Sequence, residues 1–414
     1  MNRTLHVYLN QQFAGLYSQD QHGRINFRYA DTYLKDTHAI ALSKTLPLQA
    51  EVFEHNVCHS FFAGMLPEAG QRRLIARNLG ISANNDFSLL DKIGGECAGA
   101  ISFFAAEQLP TEINVTNSDY QEISTANLQE ILTELPTSPL LAGKHEIRLS
   151  LAGVQDKMTV AIVNGKMYLP LHGAPSTHIL KPELGYQIST VSNEAFCLKL
   201  AKAIGINAVD CEIANAAEHR FLLVKRYDRE PAIPELLNIR RIHQEDFCQA
   251  LAIEPEKKYQ AEGGPGLIDC FTLVRENSSM PIYDIPALLD AVIYNYIIGN
   301  CDAHGKNFSL LYQDNQSIRL APLYDLLSTT AYTELSTKMA MRLGAEYAIN
   351  KITAKHFIQF ASKTGLNKTL VLARLVEMAS AIIINIDKVE SDDASAKQIK
   401  DIIMERARKI IASN

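Results

Sequence analysis

Gly299-Asn-Cys-Asp-Ala-His-Gly-Lys-Asn-Phe-Ser309 is the segment of this 414-residue chain that says most about its architecture. It holds a carboxylate, Asp302, and a carboxamide, Asn307, five positions later. An apolar helical stretch over 291–298 leads into the segment and apolar residues follow it, which predicts a polar loop between two buried elements. Small residues at 303 and 305 allow both side chains to turn inward, and an ordinary polar turn is the alternative.

The spacing of these two polar side chains is typical of phosphoryl transfer. A carboxylate must lie beside the attacking hydroxyl, and an amide a few residues later can reach a metal on the phosphate side, as in the D-x-x-x-x-N loop of protein kinases. A second acid, Asp325, follows the apolar stretch 320–323, which we expect to be a strand. One Asp and one Asn, completed by phosphates and waters, suit Mg²⁺, although an Asp ending a strand is also a common helix cap.

Two segments earlier in the chain are candidates for holding the phosphates of a nucleotide. The segment 148–157 begins within one predicted strand, at 147–151, and leads to another, at 158–163. A loop in this position can turn backbone N–H groups toward anions. Lys181 ends a further predicted strand, and Glu194 on the next helix, predicted to be capped by Ser192, could pair with it. A plain hairpin and an ordinary surface lysine are the alternatives for these two segments.

Composition limits the class of protein. A hydrophobic fraction of 47% and a charged fraction of 21% are those of a soluble globular chain, and the net charge of −6 disfavours a stand-alone nucleic-acid binder. The seven cysteines include no CxxC pair, which favours reduced thiols in the cytosol. The N-terminus has no apolar signal core, and the strongly apolar stretch 379–386 is too short to span a bilayer. We therefore expect a cytoplasmic protein without a membrane segment.

The order of predicted elements indicates two lobes. A hairpin over 5–16, a helix over 56–78 broken at Pro67 and a glycine-rich turn into a strand at 101–105 come first. A polar connector over 107–137 with one helix at 127–134 leads to more strands, with a hairpin at Asn164-Gly165. Beyond about residue 244 the pattern is mostly helical, so a β-rich lobe precedes a helical one.

Several motifs in this order resemble the HipA family of bacterial toxin kinases over nearly the whole length. The segments that carry the resemblance are Leu66-Pro-Glu68, Ile93-Gly-Gly-Glu-Cys-Ala-Gly99, Ser150-Leu-Ala-Gly-Val-Gln-Asp-Lys157, Thr177-His-Ile-Leu-Lys181, Lys225-Arg-Tyr-Asp-Arg229, Glu262-Gly-Gly-Pro-Gly266, Asp302-Ala-His-Gly-Lys-Asn307 and Tyr324-Asp325. The resemblance implies an α+β, two-lobed protein-kinase-like fold with an extra β-rich N-terminal subdomain and an all-helical C-terminal lobe. The expected ranges are 1–140 for the subdomain, 141–235 for the kinase N-lobe-like part and 236–414 for the helical lobe.

The same resemblance implies a role for each site residue. Asp302 would accept the hydroxyl proton, Asn307 and Asp325 would hold Mg²⁺, and Ser150 would be the self-phosphorylation position. The residues implied to contact ATP are Ala152, Gly153, Val154, Gln155, Asp156, Lys157, Lys181, Lys225, Arg226, Tyr227, His304, Lys306, Asn307 and Asp325. Phosphoserine adds roughly −1.5 to −2 charges, which the ATP phosphates would repel, so the covering loop should swing out. Lys225 stands where an acid is expected beside adenine, which leaves backbone contacts there.

Partners follow from the resemblance as well. It implies a small HipB-like helix-turn-helix antitoxin, operator DNA bound through that complex, and an aminoacyl-tRNA synthetase such as glutamyl-tRNA synthetase as the substrate. A serine/threonine protein kinase is therefore the expected activity. A corepressor subunit with little turnover, and a small-molecule or lipid kinase on the same fold, are the alternatives.

Overall fold

The chain contains both helices and strands. The computed structural model describes residues 3–105, 116–144, 146–231, 239–313, 317–390 and 393–413. The first elements are β1 (Arg3–Leu9), β2 (Gln12–Gln19), β3 (Ile25–Tyr29), α1 (Asp31–Leu34), α2 (His55–Ala63), α3 (Ala69–Leu79), α4 (Asp86–Ile93), β4 (Ile101–Ala105), β5 (Tyr120–Glu122), α5 (Thr125–Glu134), β6 (Met158–Val163), β7 (Lys166–Pro170) and β8 (His178–Pro182). The later elements are α6 (Thr190–Ala203), β9 (Cys211–Ala216), β10 (His219–Lys225), β11 (Arg229–Pro231), β12 (Ile239–Arg241), β13 (His243–Asp246), α7 (Phe247–Ala250), α8 (Leu267–Asn277), α9 (Pro281–Ile298), β14 (Ser309–Tyr312), β15 (Ile318–Leu320), β16 (Lys338–Leu343), β17 (Glu346–Ala348), α10 (Ala354–Thr364), α11 (Lys368–Asn385) and α12 (Ala394–Ser413). This mixture confirms the predicted α+β class.

The chain folds into two compact units. The first unit comprises Met1–Pro182, Ala214–Glu256 and Leu311–Ser317. The second unit comprises Glu183–Ile213, Lys257–Leu310 and Ile318–Asn414. The domain ranges 1–140, 141–235 and 236–414 stay a prediction.

An antiparallel sheet of order β3-β2-β1-β4 begins the first unit. The predicted opening hairpin is confirmed, because β1 pairs with β2 and places Leu9 opposite Gln12. Alternate residues of β1, including Leu5 and Val7, are buried against aromatic side chains that form the core of this unit. The predicted helix over 56–78 is broken as expected, since α2 ends before Pro67 and α3 begins after it.

A second sheet in this unit has the strand order β5-β7-β6-β8-β10. The predicted hairpin between β6 and β7 is confirmed, and both turn residues, Asn164 and Gly165, have positive φ as a two-residue turn requires. Of the predicted polar connector, residues 106–115 lie outside the described residues, whereas its predicted helix is present as α5.

The strand expected at 147–151 is wrong. Leu149 forms only an isolated parallel bridge with Glu96. The backbone N–H of Glu96 donates to the carbonyl of Arg148, and the carbonyl of Glu96 accepts the N–H of Ser150, each at 2.8 Å. The side chain of Ser150 then bonds to the carbonyl oxygen of Met65 rather than facing a strand partner. One isolated backbone bridge and one side-chain hydrogen bond therefore hold the segment, and it forms no strand ladder.

Helices α6 and α8 to α12 dominate the second unit. Helix α6 starts earlier than expected, because Ser189 caps it and accepts the N–H of Ser192 at 3.0 Å. The unit also contains the hairpin of β16 and β17, which the expectation of an all-helical C-terminal lobe did not include. Met339, Met341 and Leu343 are buried at alternate positions of β16, a period of two that favours a strand over a helix.

One helical stretch, Lys368–Lys388, is long and apolar enough to cross a membrane by length and composition. This apolar helical stretch is therefore longer than the apolar stretch 379–386 that was identified in the sequence. Core helices of water-soluble proteins pass the same test, and Val371, Leu375 and Ile382 of α11 are buried within the second unit. All seven cysteines lie within the described residues, and no disulfide joins any two of them.

Candidate active site

The predicted polar loop begins where α9 ends. Gly299 closes the helix with a φ of +79°, a left-handed conformation that glycine adopts without steric penalty. A Cβ atom built at this position would overlap the Oγ1 of Thr330. The backbone carbonyl of Gly299 accepts the N–H of Thr330 at 3.1 Å. A glycine is therefore needed for the loop to leave the helix along this path.

Asn300, which the sequence analysis did not single out, ties the loop together. Its side chain is 1% exposed, and its Nδ2 donates to Oδ1 of Asn295 at 2.8 Å. Its own Oδ1 accepts the backbone N–H of Asp302 at 3.0 Å, and its Nδ2 lies 3.4 Å from the carbonyl oxygen of Asp325. One buried carboxamide thus fixes the backbone at both predicted acidic positions. An asparagine directly after a helix-ending glycine was the available signal.

Asp302 is half-buried on this loop. Its Oδ1 accepts a hydrogen bond from the phenol of Tyr259 at 2.7 Å. Its backbone carbonyl accepts the N–H of His304 at 2.8 Å and the side-chain N–H of Asn307 at 3.1 Å. The predicted base and the predicted amide are therefore brought together in one hydrogen-bonded turn.

His304 and Lys306, predicted to face the phosphates, are almost fully buried beside Asp302. The ring of His304 packs edge-on against Tyr259, with ring centroids 5.4 Å apart. The carbonyl oxygen of Lys306 accepts a hydrogen bond from the phenol of Tyr324 at 2.8 Å, and Tyr324 is bonded in turn to Ser309 at 2.7 Å. The two ends of the loop are therefore held to the segment that carries the second predicted acid.

Asp325 adopts a left-handed backbone conformation, with a φ of +55°. A non-glycine residue there stores on the order of 1 kcal/mol, and such strain is concentrated at functional sites. The expected strand leading to it is wrong in extent, since β15 ends at Leu320 and only Leu323 makes a further bridge, to Ala208. Pro322 lies just after β15 and has no backbone N–H to donate, so the strand ladder cannot continue through it.

The donor set at Asn307 and Asp325 fits a hard divalent cation. Both side chains offer oxygen, the ligand atom that Mg²⁺ prefers. Asn307 uses its N–H on the carbonyl of Asp302, which leaves the amide oxygen as its ligand atom. Among the described residues no group of three or more His, Cys, Asp or Glu side chains could hold a metal ion. Further ligands would have to come from phosphate and water.

The predicted nucleotide-covering loop belongs to the first unit and is fastened to the start of α3. The Oγ of Ser150 is fully buried and donates to the carbonyl oxygen of Met65 at 2.9 Å. The carbonyl of Gly153 accepts the N–H of Glu68 at 3.1 Å, and Asp156 accepts a hydrogen bond from Gln71. The loop is therefore closed onto the Leu66-Pro-Glu68 motif, for which the sequence analysis had no role.

Within this loop the exposed side chain is that of Val154, whereas Ala152, Gln155 and Lys157 are half-buried. The ammonium group of Lys157 donates to the carbonyl of Ala152 across the turn. Burial raises the pKa of the Asp156 carboxyl, with its hydrogen bond from Gln71 opposing the shift. The loop is compact and mostly polar, with one apolar side chain at its tip.

Lys181 and the predicted hinge lie on neighbouring strands of the first unit. Lys181 is 9% exposed on β8, opposite Leu222 of β10. Lys225 ends β10 and is exposed, and the phenol of Tyr227 donates to Gln244. Glu194, the predicted partner of Lys181, is buried on α6 of the second unit. Their pairing stays a prediction.

Arg226, also predicted at the hinge, has a buried side chain with structural partners. Its guanidinium binds Asp228 through two hydrogen bonds of 2.9 and 2.8 Å and Glu96 at 3.0 Å. The carboxylate of Glu96 also accepts hydrogen bonds from the guanidinium groups of Arg229 and Arg241. Burial alone would raise the pKa of Glu96, but Arg229, Arg241 and Arg226 lower it to about 2. Only the backbone of Arg226 is therefore suited to contact a nucleotide.

Comparison with known proteins identifies the family. A family model described as the HipA-like C-terminal domain matches residues 149–386, and one described as the HipA N-terminal domain matches residues 5–104. The first covers more than half of the 414 residues. The chain belongs to the HipA family. The resemblance seen in the motifs is confirmed.

Individual HipA relatives match nearly the whole chain. The serine/threonine-protein kinase toxin HipA of Shewanella oneidensis is 30% identical, across 95% of this chain and 92% of its own. The putative kinase Y4mE of Sinorhizobium fredii is 44% identical, across 92% of this chain and 90% of its own. In the solved complex of Shewanella oneidensis HipA, HipB and operator DNA, the matching chain is 27% identical with a TM-score of 0.85, and 98% of this chain and 97% of that one are covered. The HipA-like fold is confirmed.

Proposed function

We propose that this HipA-family chain is a toxin-type serine/threonine protein kinase that transfers the γ-phosphate of ATP to a protein hydroxyl. The observation that carries the proposal is the hydrogen-bonded turn that places the Asn307 amide against the carbonyl of Asp302. Protein kinases need a base and a metal-binding amide held in fixed relation, because positioning supplies most of their catalysis.

Asp302 is the proposed base. The oxygen of the acceptor hydroxyl forms a new bond to the γ-phosphorus, and the bond from that phosphorus to the bridging β–γ oxygen breaks. ADP departs, and the hydroxyl proton passes to the carboxylate of Asp302. General-base contributions of this kind are worth about 10²–10⁴-fold in rate. The buried Asn300 supports this role, because it holds the backbone of Asp302 in one position.

Asn307 and Asp325 are the proposed ligands of Mg²⁺, which when bound would offset the negative charge of the phosphates. Lys181 and the loop from Ala152 to Lys157 are proposed to contact the phosphates of the nucleotide. His304 and Lys306 would line the phosphate side, and backbone groups at 225–227 would contact adenine. The left-handed conformation of Asp325 supports a functional reason for that residue, since backbone strain of this kind needs compensation elsewhere.

Ser150 is the proposed site of self-inactivation. Its hydroxyl is fully buried and bonded to the carbonyl of Met65, so a kinase can reach it only after the loop opens. A phosphoserine carries roughly −1.5 to −2 charges and does not return to a dry site beside a carbonyl oxygen. The loop would stay open after phosphorylation, and its contacts with ATP would be lost.

A HipB-like helix-turn-helix antitoxin is the proposed partner, with operator DNA bound through the complex. The support is the similarity to the HipA chain that is solved with HipB and operator DNA. An aminoacyl-tRNA synthetase, in particular glutamyl-tRNA synthetase, is the proposed substrate. That proposal rests on the family resemblance alone.

Labelled ATP tests the reaction and its substrate class together. The Ser150→Ala variant, which cannot silence itself at that position, is incubated with γ-labelled ATP, Mg²⁺ and a panel of aminoacyl-tRNA synthetases or small alcohols. We expect label on a synthetase, and transfer about 10²–10⁴-fold slower with Asp302→Asn in the same background. Label only on small alcohols would overturn the protein-kinase proposal, and no label on any acceptor would favour a corepressor with little turnover.

A further inference from the structure

The motif Glu262-Gly-Gly-Pro-Gly266 has no part in the proposed chemistry, yet it builds a tight loop in the second unit. The carbonyl oxygen of Tyr259 accepts the N–H groups of Glu262 and Gly264, each at 2.9 Å. Gly263 closes this turn with a φ of +98°. Three residues of the motif therefore serve to fold the backbone around Tyr259.

Two glycines of the loop, Gly264 and Gly266, pack closely against neighbouring atoms. A Cβ atom at Gly264 would overlap the carbonyl oxygen of Lys257, and one at Gly266 would overlap the amide of Gln260. The Oε1 of Gln260 in turn accepts the backbone N–H of Arg342 at 2.9 Å. At Gly264 the obstacle is backbone, whereas at Gly266 it is the end of a side chain, so the path of the loop depends on glycine at position 264.

This loop presents one side chain to the proposed base. The phenol of Tyr259 donates to Oδ1 of Asp302 at 2.7 Å. The ring itself is held by edge-on packing against His304 at 5.4 Å and by the ammonium group of Lys258, 5.5 Å from its centroid. The donor is therefore held by the hydrogen bonds of its backbone and by two contacts of its ring.

We propose that Tyr259 is a positioning residue that holds the carboxylate of Asp302 for proton acceptance. A hydrogen bond to an ionised carboxylate is among the stronger ones and restricts rotation of the group. The inference deepens the proposed function and rests on it, since it assigns Tyr259 a role only if Asp302 takes part in phosphoryl transfer.

Tyr259→Phe is the direct test, because it removes the hydroxyl and keeps the ring that contacts His304 and Lys258. The rate of Ser150 phosphorylation is measured against ATP concentration, which gives a maximal rate and a half-saturating ATP. We expect the maximal rate to fall about 5–50-fold while half-saturating ATP changes less than about 2-fold. Tyr296→Phe is the matched control, since it removes a buried phenol that donates to Ile352 at 3.3 Å, and it should leave both values unchanged.

A double variant separates positioning from a general structural effect. Adding Tyr259→Phe to Asp302→Asn should slow residual transfer no further, because the phenol acts through the carboxylate. A Tyr259→Phe rate at or above wild type, or an additive loss in the double variant, would overturn the inference while Asp302-dependent transfer still supports the kinase. Transfer that is unaffected by Asp302→Asn would instead overturn Asp302 as the base, on which the role of Tyr259 depends. Amide exchange over 299–307, which needs no turnover, should be faster in Tyr259→Phe, and unchanged exchange would also count against positioning.

Discussion

The carboxamide oxygen of Asn300 accepts the backbone N–H of Asp302 at 3.0 Å. The same side chain, which is almost fully buried, donates to Asn295 and approaches the carbonyl of Asp325. The two acids proposed for catalysis and for metal binding are thus fixed by one residue that needs no contact with substrate. Rate and stability should both depend on it.

Asn300→Ala should lower stability and activity together. The change leaves the N–H of Asp302 and the Oδ1 of Asn295 without this partner, and we expect unfolding to become easier by about 2–3 kcal/mol. Phosphoryl transfer, measured where the variant is still folded, should fall by at least about tenfold. Asn277→Ala is the matched control, because Asn277 makes only a local bond to Leu273 within α8. Equal stability of the two variants in urea would contradict the role given to Asn300.

Gly299→Ala should be more destabilising than Gly365→Ala. Both glycines end helices with similar positive φ, +79° and +72°, so the conformational penalty of about 1 kcal/mol is shared. Only at Gly299 would the new methyl group overlap a neighbour, Thr330, and we expect roughly 2–4 kcal/mol in total there. Thermal or urea unfolding of both variants gives the comparison. A larger loss at Gly365 would mean that Thr330 moves without penalty.

Gln71→Ala should loosen the loop that carries Ser150. The side chain of Gln71 holds Asp156, while the neighbouring Glu68 holds Gly153 through the backbone only. We expect faster amide exchange over 152–157 and, with ATP, faster phosphorylation of Ser150, because the loop opens more often. Gln129→Ala is the control, since that half-buried glutamine also donates to a carboxylate, Glu218. Exchange that is unchanged in Gln71→Ala would show that Asp156 is held by other means.

Glu245 should make stability depend on pH near neutrality. Burial raises the pKa of this carboxyl to about 7, although hydrogen bonds from Ser43, Tyr312 and the N–H of Lys44 favour the charged form. Because the folded-state pKa lies above the ordinary value near 4.5, the neutral acid is the stable folded form. Its contribution is fully present below pH 4.5 and is lost as pH rises through about 7.

Glu245→Gln, which stays neutral, should therefore be more stable than wild type at pH 8, by about 1–3 kcal/mol, and close to it at pH 5. Glu122→Gln is the control, because Glu122 is exposed and pairs with Lys166 on the surface. Urea unfolding of the three proteins at both pH values is the measurement. Parallel pH curves for wild type and Glu245→Gln would rule out this carboxyl as the cause.

Local pattern was enough to predict the elements that rest on neighbouring residues. The Asn164-Gly165 turn, the break at Pro67 and the loop from Asp302 to Asn307 each follow from residue types a few positions apart. The cap of α6 did not, because Ser189 and Ser192 both have capping chemistry. Glu183 decides between them, since its carboxylate accepts the N–H of Thr190 at 2.7 Å and fixes the start of the helix there.

Contacts between residues that lie far apart in the chain could not be predicted from the sequence. Arg226 looked like a hinge residue, but its guanidinium is buried against Glu96, 130 positions earlier. The contact of Tyr259 with Asp302 likewise joins residues 43 positions apart. No spacing rule reports such pairs, because their distance is set by tertiary packing rather than by helix or strand period.

The most direct test of the account is the number of phosphates added per chain over time, followed by intact mass after mixing with ATP and Mg²⁺. Wild type should gain one phosphate, at Ser150, and Asp302→Asn should gain it about 10²–10⁴-fold more slowly. Asp290→Asn, which breaks only an ion pair with Arg374 in the second unit, should behave as wild type. Phosphate incorporation by Asp302→Asn at the wild-type rate would contradict Asp302 as the base of the proposed phosphoryl transfer.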